Sequence, residues 1–231
     1  MYDIVFISYE ELNAEEHWSI LSDRFPNNTK RLHRVKGIHA AHRIAAHMVD
    51  TDMFYVVDGD ATVLPDFNFD YQVSGNDTNK THVFRAKNPI NELIYGYGAV
   101  KLFPTNAVKN IDLNNIKTDM SSSLQNTGYK VVNELSNVTS FNTDPYNTWR
   151  SAFRECAKLS SKVIDNQKDE ETEHRLNTWC NVGIDKLHGL WAIKGAKAGK
   201  LFGKQYQGQP DKLLYINDMD WLKTKFNEAR L

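Results

Sequence analysis

The chain of 231 residues is 41% hydrophobic and 11% aromatic, a composition that builds a packed core and excludes a disordered protein. Its 28 Lys and Arg residues nearly balance 29 Asp and Glu residues, so the net charge of −1 excludes a general attraction to nucleic acids or membranes. Any such affinity must come from a local patch of charge.

Strand and helix patterns alternate through the first sixty residues. Runs of β-branched and aromatic residues predict strands at 4–7, 31–35 and 53–57, and apolar residues at helical spacing predict helices at 14–25 and 37–49. The third strand is apolar throughout, as is typical of a buried parallel strand. This alternation predicts an α/β fold with an open, mostly parallel sheet, right-handed crossovers and flanking helices.

The pattern becomes less regular after the third strand. HVFRA and GAVKLF are predicted strands, and glycines stand on both sides of Tyr97 in the segment between them. These glycines predict either close approach of a ligand to the backbone or a β-bulge. A polar, Asn-rich region follows at 105–143, without a clear element.

Helical patterns return in the last third of the chain. Asp144 is a predicted N-cap, followed by Pro145 at the first position of a helix that runs through Ser160. A further helix is predicted at 174–188, and a tail rich in lysine and glycine at 186–204. No linker is recognisable, so we expect a single domain.

The sequence predicts a cytoplasmic protein. Its first residues, MYDIVFIS, lack the basic start and cleavage site of a signal peptide, and no apolar run reaches the roughly 20 residues that span a bilayer. Cys156 and Cys180 lie in helical patterns without metal-ligand spacing, as expected for two buried thiols in the cytosol. We therefore expect no membrane partner.

Two carboxylates end the third predicted strand. The spacing D-x-D occurs three times, but residues 50 and 52 lie in a turn and residues 218 and 220 begin a terminal helix, where acids are ordinary. Only Asp58 and Asp60 directly follow a buried strand, at the edge where open α/β sheets bind ligands. With Gly59 allowing close backbone approach, this pair is suited to a hard cation such as Mg²⁺ or Mn²⁺, whereas the alternative is a solvated turn.

The order strand, helix, basic strand, helix, apolar strand, D-x-D resembles the nucleotide-binding half of GT-A glycosyltransferases over about residues 1–103. In that family the end of the first strand and the helix before the D-x-D strand hold the nucleoside, and the metal bridges the diphosphate. The resemblance implies a GT-A type sheet, a nucleotide-sugar donor, and Asp58 and Asp60 at the metal, with Asp58 also near the donor. The matching nucleotide-side positions are Ser8, Tyr9, Glu10, Lys36, Gly37 and the run Ala41-His42-Arg43.

Several longer segments resemble a narrower group, the glycosyltransferases of tailed phages. Members of that group transfer a sugar to 5-hydroxymethylcytosine in phage DNA, and an arabinosyltransferase is among them. The resemblance implies transfer of a glucose- or arabinose-like sugar from a UDP-sugar to this base in double-stranded DNA, in the host cytoplasm. It also implies one GT-A domain over 1–231, with a nucleotide-sugar half at 1–103 and an acceptor-side half at 104–231. The segments are ISYEELNAEEHW, RVKGIHAAH, TDMFYVVDGDA, WRSAFRECAKLSS and INDMDWL.

Candidate residues also exist for the donor-phosphate contacts, the catalytic base and a third metal ligand, and most of them could instead have an ordinary structural role. Lys36 and Lys197 are suited to donor phosphates, or are ordinary surface lysines. An inverting enzyme needs a carboxylate base, for which Asp144 and Glu155 are equal candidates, although the first could only cap its helix and the second could only form a salt bridge. His188 is a possible third metal ligand, because these enzymes often recruit a late histidine.

A DNA acceptor would need local basic contacts. The stretch 27–49 carries five Lys or Arg residues and no acid, and the tail 186–204 is rich in lysine. A stacked base would have to be flipped out, and Tyr97, Trp149 or Trp191 could fill the gap, unless they are core residues.

Two other functions fit the D-x-D stretch. DGDATV matches the start of haloacid dehalogenase-like phosphatases, in which Asp58 would be the nucleophile and Asp60 the general acid. In that family the motif closes the first strand, whereas here it closes the third. A non-catalytic nucleotide- or sugar-binding module would bind without turnover, and a glycosyltransferase could also use an acceptor other than DNA.

Overall fold

The computed structural model describes residues 1–97, 99–118, 120–124, 128–164 and 167–230. The chain forms two compact units, one made of Met1–Asn88 with Ile94–Ser140 and the other of Pro89–Leu93 with Phe141–Leu231. The first unit therefore continues well past residue 103. The single-domain organisation stays a prediction.

The first unit contains a mixed sheet. Within the described residues its strands are β1 (Asp3–Ser8), β2 (Thr29–His33), β3 (Met53–Asp58), β4 (Ala61–Val63), β5 (Thr81–Lys87), β6 (Ile94–Tyr95), β7 (Val100–Pro104) and β8 (Tyr129–Thr139). They lie in the order β2-β1-β3-β7-β5-β8-β4, with β6 beside β5. Three neighbouring pairs are parallel: β1-β2, β1-β3 and β5-β8. Four pairs are antiparallel: β3-β7, β5-β7, β4-β8 and β5-β6. The predicted α/β fold is confirmed, and its sheet is mixed rather than mostly parallel.

Helices cover both faces of the parallel part of this sheet. The helices of the unit are α1 (Ala14–Arg24), α2 (Ile38–His47), α3 (Thr105–Lys109) and α4 (Met120–Ser123). Side chains of β1 and β3 alternate between two cores, so that Phe6 packs with Leu21 of α1 while Val5 packs with Ala45 of α2. The five elements predicted in the first sixty residues are all present, because apolar side chains are needed on both faces of these strands.

The Asn-rich region contains a strand that the sequence pattern did not reveal. β8 lies between β5 and β4 and buries polar residues instead of an apolar row. Ser136 Oγ lies 3.1 Å from the Arg85 carbonyl oxygen and 2.8 Å from Asn137 Oδ1, either of which can accept its proton, and Asn137 Nδ2 donates to Thr139 Oγ1 at 3.1 Å. These hydrogen bonds satisfy the buried groups, so the strand does not need the hydrophobic alternation that prediction relies on.

The second unit is helical. Its described elements are α5 (Pro145–Ser161), α6 (Asp169–Asn181), α7 (Gly189–Gln205), α8 (Pro210–Leu213), a 3-10 turn at Leu214–Asn217 and α9 (Met219–Arg230). Cys156 and Cys180 are free and buried in α5 and α6, as predicted. The predicted helix at 174–188 begins earlier and ends at Asn181. No described helix of the protein is both long and apolar enough to cross a lipid bilayer.

The predicted lysine-glycine tail is helix α7, and its glycines form the contact with α5. A Cβ added at Gly195, Gly199 or Gly203 would clash with α5 backbone carbonyl oxygens, one helical turn apart. Glycine costs about 1 kcal/mol relative to alanine in a helix interior, and here it allows the two backbones to approach. We call these three positions the glycine seam. They explain why a segment with four glycines is helical.

Candidate functional site

The D-x-D pair lies beside the end of the first strand. β1 and β3 are parallel neighbours, and Ile7 pairs with Asp58, so Ser8 and the turn after Asp58 lie at the same edge of the sheet. Asp58 is the last residue of β3, and Gly59 and Asp60 form the turn into β4. The D-x-D pair thus lies at the carboxyl end of a parallel strand, the edge at which open α/β sheets bind ligands.

Gly59 is packed so closely that no larger residue fits without a shift. A Cβ there would lie 2.7 Å from Glu11 Oε2 and 3.0 Å from Ser8 Cβ. The Glu11 carboxylate also accepts a hydrogen bond from the Tyr9 backbone N–H at 2.6 Å. Glu11 therefore lies against the D-x-D turn. Sequence reasoning named its exposed neighbour Glu10 instead, since no spacing rule distinguishes two consecutive acids in a turn.

The buried side chain of His17 forms a hydrogen bond to the backbone of the D-x-D turn. His17 Nδ1 lies 3.0 Å from the Gly59 carbonyl oxygen, and His17 Nε2 lies 3.0 Å from Thr62 Oγ1. Thr62 Oγ1 is 2.7 Å from Ser140 Oγ, and the Ser140 N–H donates to the Asp60 carbonyl at 2.7 Å. Both carbonyls of the Gly59-Asp60 turn are thus fixed. Sequence analysis missed His17, because a single histidine in an amphipathic helix carries no distinguishing pattern.

A guanidinium lies beside the end of β1. Ser8 is buried, and its hydroxyl is 2.8 Å from His33 Nδ1 and 3.4 Å from Arg31 Nε. Arg31 donates to Glu15 Oε2 at 2.8 Å, which lowers the pKa of Glu15 and raises that of Arg31. The guanidinium also stacks over two aromatic rings, Phe6 and Trp18, at 5.9 and 5.8 Å. These contacts hold a permanent cation at the same strand end as Ser8.

The residues predicted at the start of α2 divide into exposed and buried positions. Lys36, Gly37 and Arg43 are exposed, and Gly37 has a φ of 93°, which only glycine adopts easily. His42 instead belongs to the core, where its Nδ1 bonds the Ile38 carbonyl at 2.8 Å. Burial lowers the pKa of His42 to about 3, so the ring is neutral.

The candidates in the second unit have identifiable local roles. Asp144 caps α5 by accepting from the Asn147 backbone N–H at 2.8 Å and from the Asn147 side chain. Glu155 is buried and pairs with Lys158 at 2.9 Å. His188 precedes α7 with a φ of 59°, and Lys197 is exposed on α7. Their predicted roles in catalysis, metal binding and donor binding stay predictions.

The aromatic candidates for base flipping also have local partners. Trp149 is buried in the core of the second unit, and Trp191 packs against the same cluster. The Tyr97 ring stacks on Tyr95 with centroids 4.5 Å apart. Gly98, the second glycine beside Tyr97, lies outside the described residues. Trp149 is therefore a core residue and does not fill the gap that a flipped base would leave.

The donor set at the turn fits a divalent cation that arrives with a substrate. Across the described residues, no group of three or more His, Cys, Asp or Glu side chains is arranged to hold a metal. Magnesium-like ions are commonly bound by one or two protein carboxylates, with phosphate oxygens and water completing the shell. Asp58 at the end of β3 and Asp60 in the turn that follows provide two such carboxylates.

Comparison with known proteins finds similarity among solved structures. No protein-family model matches the chain, and no curated protein matches it significantly. Among solved structures, it resembles the mannosyltransferase PcManGT from Pyrobaculum calidifontis in complex with GDP-Man and Mn²⁺. The two share 12% identity with a TM-score of 0.41, over 100% of this chain and 86% of that one. Similarity at this level assigns no function.

Proposed function

We propose that the protein is a metal-dependent glycosyltransferase that uses a nucleotide-sugar donor. The observation that carries this proposal is the D-x-D pair at the end of the buried strand β3, beside the end of β1. Two carboxylates one residue apart repel each other, and a divalent cation would offset this repulsion while also binding the diphosphate of a donor. Gly59 between the two aspartates packs against Glu11 and Ser8, which places the pair next to the end of β1.

Asp58 and Asp60 would hold Mn²⁺ or Mg²⁺, with Asp58 also near the donor. The cation, when bound, neutralises charge that develops on the leaving diphosphate. Ser8, Tyr9 and Glu10 would contact the nucleoside, and the structure adds Arg31 as a cation near Ser8. Lys36, Gly37 and Arg43 from the start of α2 and Lys197 from α7 remain proposed donor contacts, and His188 a proposed third ligand.

The acceptor hydroxyl must lose its proton as its oxygen attacks the anomeric carbon. The bond between that carbon and the diphosphate oxygen breaks, and the nucleoside diphosphate leaves. Asp144 is the better-supported base, because Glu155 is only 5% exposed and is paired with Lys158 on its own helix. The acceptor proton would pass to the Asp144 carboxylate.

For the finer assignment we propose a UDP-sugar donor and 5-hydroxymethylcytosine in double-stranded DNA as acceptor. The support is the resemblance of five segments to tailed-phage glycosyltransferases, together with a row of lysines on α7. Lys194, Lys197 and Lys204 are exposed on the face of α7 opposite the glycine seam. Such a row could contact DNA phosphates without a net positive charge on the protein.

The test is release of nucleoside diphosphate from a panel of sugar donors. Reactions would contain Mn²⁺ or a chelator, and DNA with either cytosine or 5-hydroxymethylcytosine. We expect release that requires metal and hydroxymethylated DNA, and a loss of at least about 100-fold in Asp60→Asn. The matched control is Asp52→Asn, an exposed aspartate of another D-x-D pair, which should react like the wild type.

Three other outcomes separate the levels of the proposal. Metal-dependent release that ignores DNA would retain the transferase and discard the acceptor. Nucleotide binding without turnover on any donor or acceptor would indicate a binding module. Cleavage of a phosphate monoester that depends on Asp58, with no release from any donor, would replace the proposal with the phosphatase reaction.

A further inference from the structure

We infer that His17 is a positioning residue for the divalent cation, acting through the backbone of the D-x-D turn. This inference rests on the proposed function and concerns the same site. His17 is nearly fully buried and contacts the turn at the peptide carbonyl between the two aspartates. It would keep the turn in the conformation that binds the cation.

The hydrogen-bond partners of His17 define its tautomer. The Gly59 carbonyl can only accept, so His17 Nδ1 carries a proton and donates to it. In the neutral ring Nε2 is then an acceptor, and the Thr62 hydroxyl donates to it at 3.0 Å. Thr62 Oγ1 lies 2.7 Å from Ser140 Oγ, and when Thr62 donates to His17 the Ser140 hydroxyl donates to Thr62. The three side chains form one directed chain of hydrogen bonds that ends on Gly59.

A second connection runs from this chain to Asp60. The backbone N–H of Ser140 donates to the Asp60 carbonyl at 2.7 Å, and the Ser140 carbonyl accepts from Asn13 Nδ2 at 3.0 Å. The carbonyl of Gly59 and the carbonyl of Asp60 are therefore held by groups on α1, β4 and the residue after β8. Each support comes from a different part of the sheet unit, so the turn cannot shift without breaking several bonds.

A rigid turn would favour cation binding by keeping the two aspartates close together. Without a cation the aspartates repel each other, and a loose turn would separate them. Supports behind metal ligands typically contribute about 10- to 100-fold to metal affinity. His17 would contribute by resisting that separation before the cation and the diphosphate arrive.

The experiment compares two substitutions that each keep one of the two hydrogen bonds. In His17→Asn the amide nitrogen stands close to the position of Nδ1 and can still donate to Gly59. In His17→Gln the amide reaches the position of Nε2 and can contact Thr62, but not Gly59. Mn²⁺ affinity would be measured by electron paramagnetic resonance titration, with and without UDP, and folding by urea unfolding.

We expect His17→Gln and His17→Ala to weaken Mn²⁺ binding about tenfold or more, and His17→Asn to restore it to within about threefold of the wild type. Thr62→Val removes the hydroxyl that links His17 to Ser140 and should give an intermediate loss. His47→Asn, an exposed histidine at the end of α2, is the matched control and should bind like the wild type. A merely structural role would lower stability in both His17→Asn and His17→Gln without separating their affinities.

The outcomes distinguish this inference from the proposed function. If Mn²⁺ binding depends on Asp60 but is equal in folded His17→Gln, His17→Asn and wild type, the role of His17 is overturned and the donor site remains. If the wild type binds no Mn²⁺ with or without UDP, both the proposed function and the role of His17 are overturned. If His17→Ala does not fold, the comparison of the asparagine and glutamine variants decides.

Discussion

Gly59 shows how one residue links the packing of the turn to its chemistry. The space beyond its Cα is filled by the Glu11 carboxylate and by Ser8, so the backbone of the turn lies directly against the end of β1. The sequence alone predicts that Gly59 allows another group to come close to the backbone of the turn. It could not predict that Glu11 is the group approached, because the contact depends on how the loop after β1 turns back.

Gly59→Ala should destabilise the first unit through this contact. The added methyl group would lie 2.7 Å from Glu11 Oε2, so the Glu11 carboxylate must shift, which strains its bond to the Tyr9 N–H. We expect the free energy of unfolding to fall by about 1 kcal/mol, the low end of overpacking costs, because the end of a flexible side chain can move aside. Urea unfolding would measure this change.

The control for this prediction is a double-mutant cycle with Glu11→Ala. Removing the carboxylate should reduce the cost of Gly59→Ala, because the closest obstructing atoms are gone. An equal cost in both backgrounds would mean that Ser8, whose Cβ is 3.0 Å away, limits the site instead.

Among the elements, the sequence predicted those with a clear hydrophobic period and missed those stabilised in other ways. β1, β3, α1, α2 and α5 were predicted because apolar residues or a proline cap mark them. β8 was missed because Ser136 and Asn137 are buried with polar partners. The sequence of α7 predicts a tail rather than a helix, because its packing surface consists of glycines, which ordinarily disfavour a helix.

The glycine seam predicts an unusual response to alanine. Gly199→Ala would ordinarily stabilise a helix by about 1 kcal/mol, but here its methyl group would meet the Phe153 carbonyl. We therefore expect a net loss of roughly 1–3 kcal/mol in the free energy of unfolding. Lys197→Ala, on the opposite face of the same helix, should change stability by less than about 0.5 kcal/mol. Stabilisation by Gly199→Ala would contradict the close contact between α5 and α7.

At the scale of the whole molecule, the near-neutral net charge does not indicate that stability depends on pH. Buried histidines nevertheless make the free energy of unfolding depend on pH. His42 and His82 are buried in the first unit, and burial lowers the pKa of both rings. Each is neutral in the folded chain at pH values where the unfolded chain would protonate it. The free energy of unfolding is therefore not reduced by these histidines above their ordinary pKa of about 6.5, and it falls as the pH is lowered below that value.

The free energy of unfolding should decrease between pH 7 and pH 5 by up to about 1.4 kcal/mol per pH unit for each such histidine. His42→Leu should flatten this dependence, although it also loses the bond to the Ile38 carbonyl at 2.8 Å and is less stable at pH 7. His47→Leu, an exposed position on the same helix, should leave the slope unchanged. Urea unfolding at several pH values would measure both slopes, and equal slopes in wild type and His42→Leu would remove His42 as the cause.

The glycine seam also affects how this protein can diversify. Folding constrains α7 on the side that faces α5, where even a methyl group is excluded, and leaves Lys194, Lys197 and Lys204 on the other side without that constraint. Substitutions on the outer side can therefore accumulate at little cost to the fold. Descendants of this chain could change the surface they recognise through α7 while the helix keeps its place, and a library randomised at these lysines should consist mostly of folded proteins.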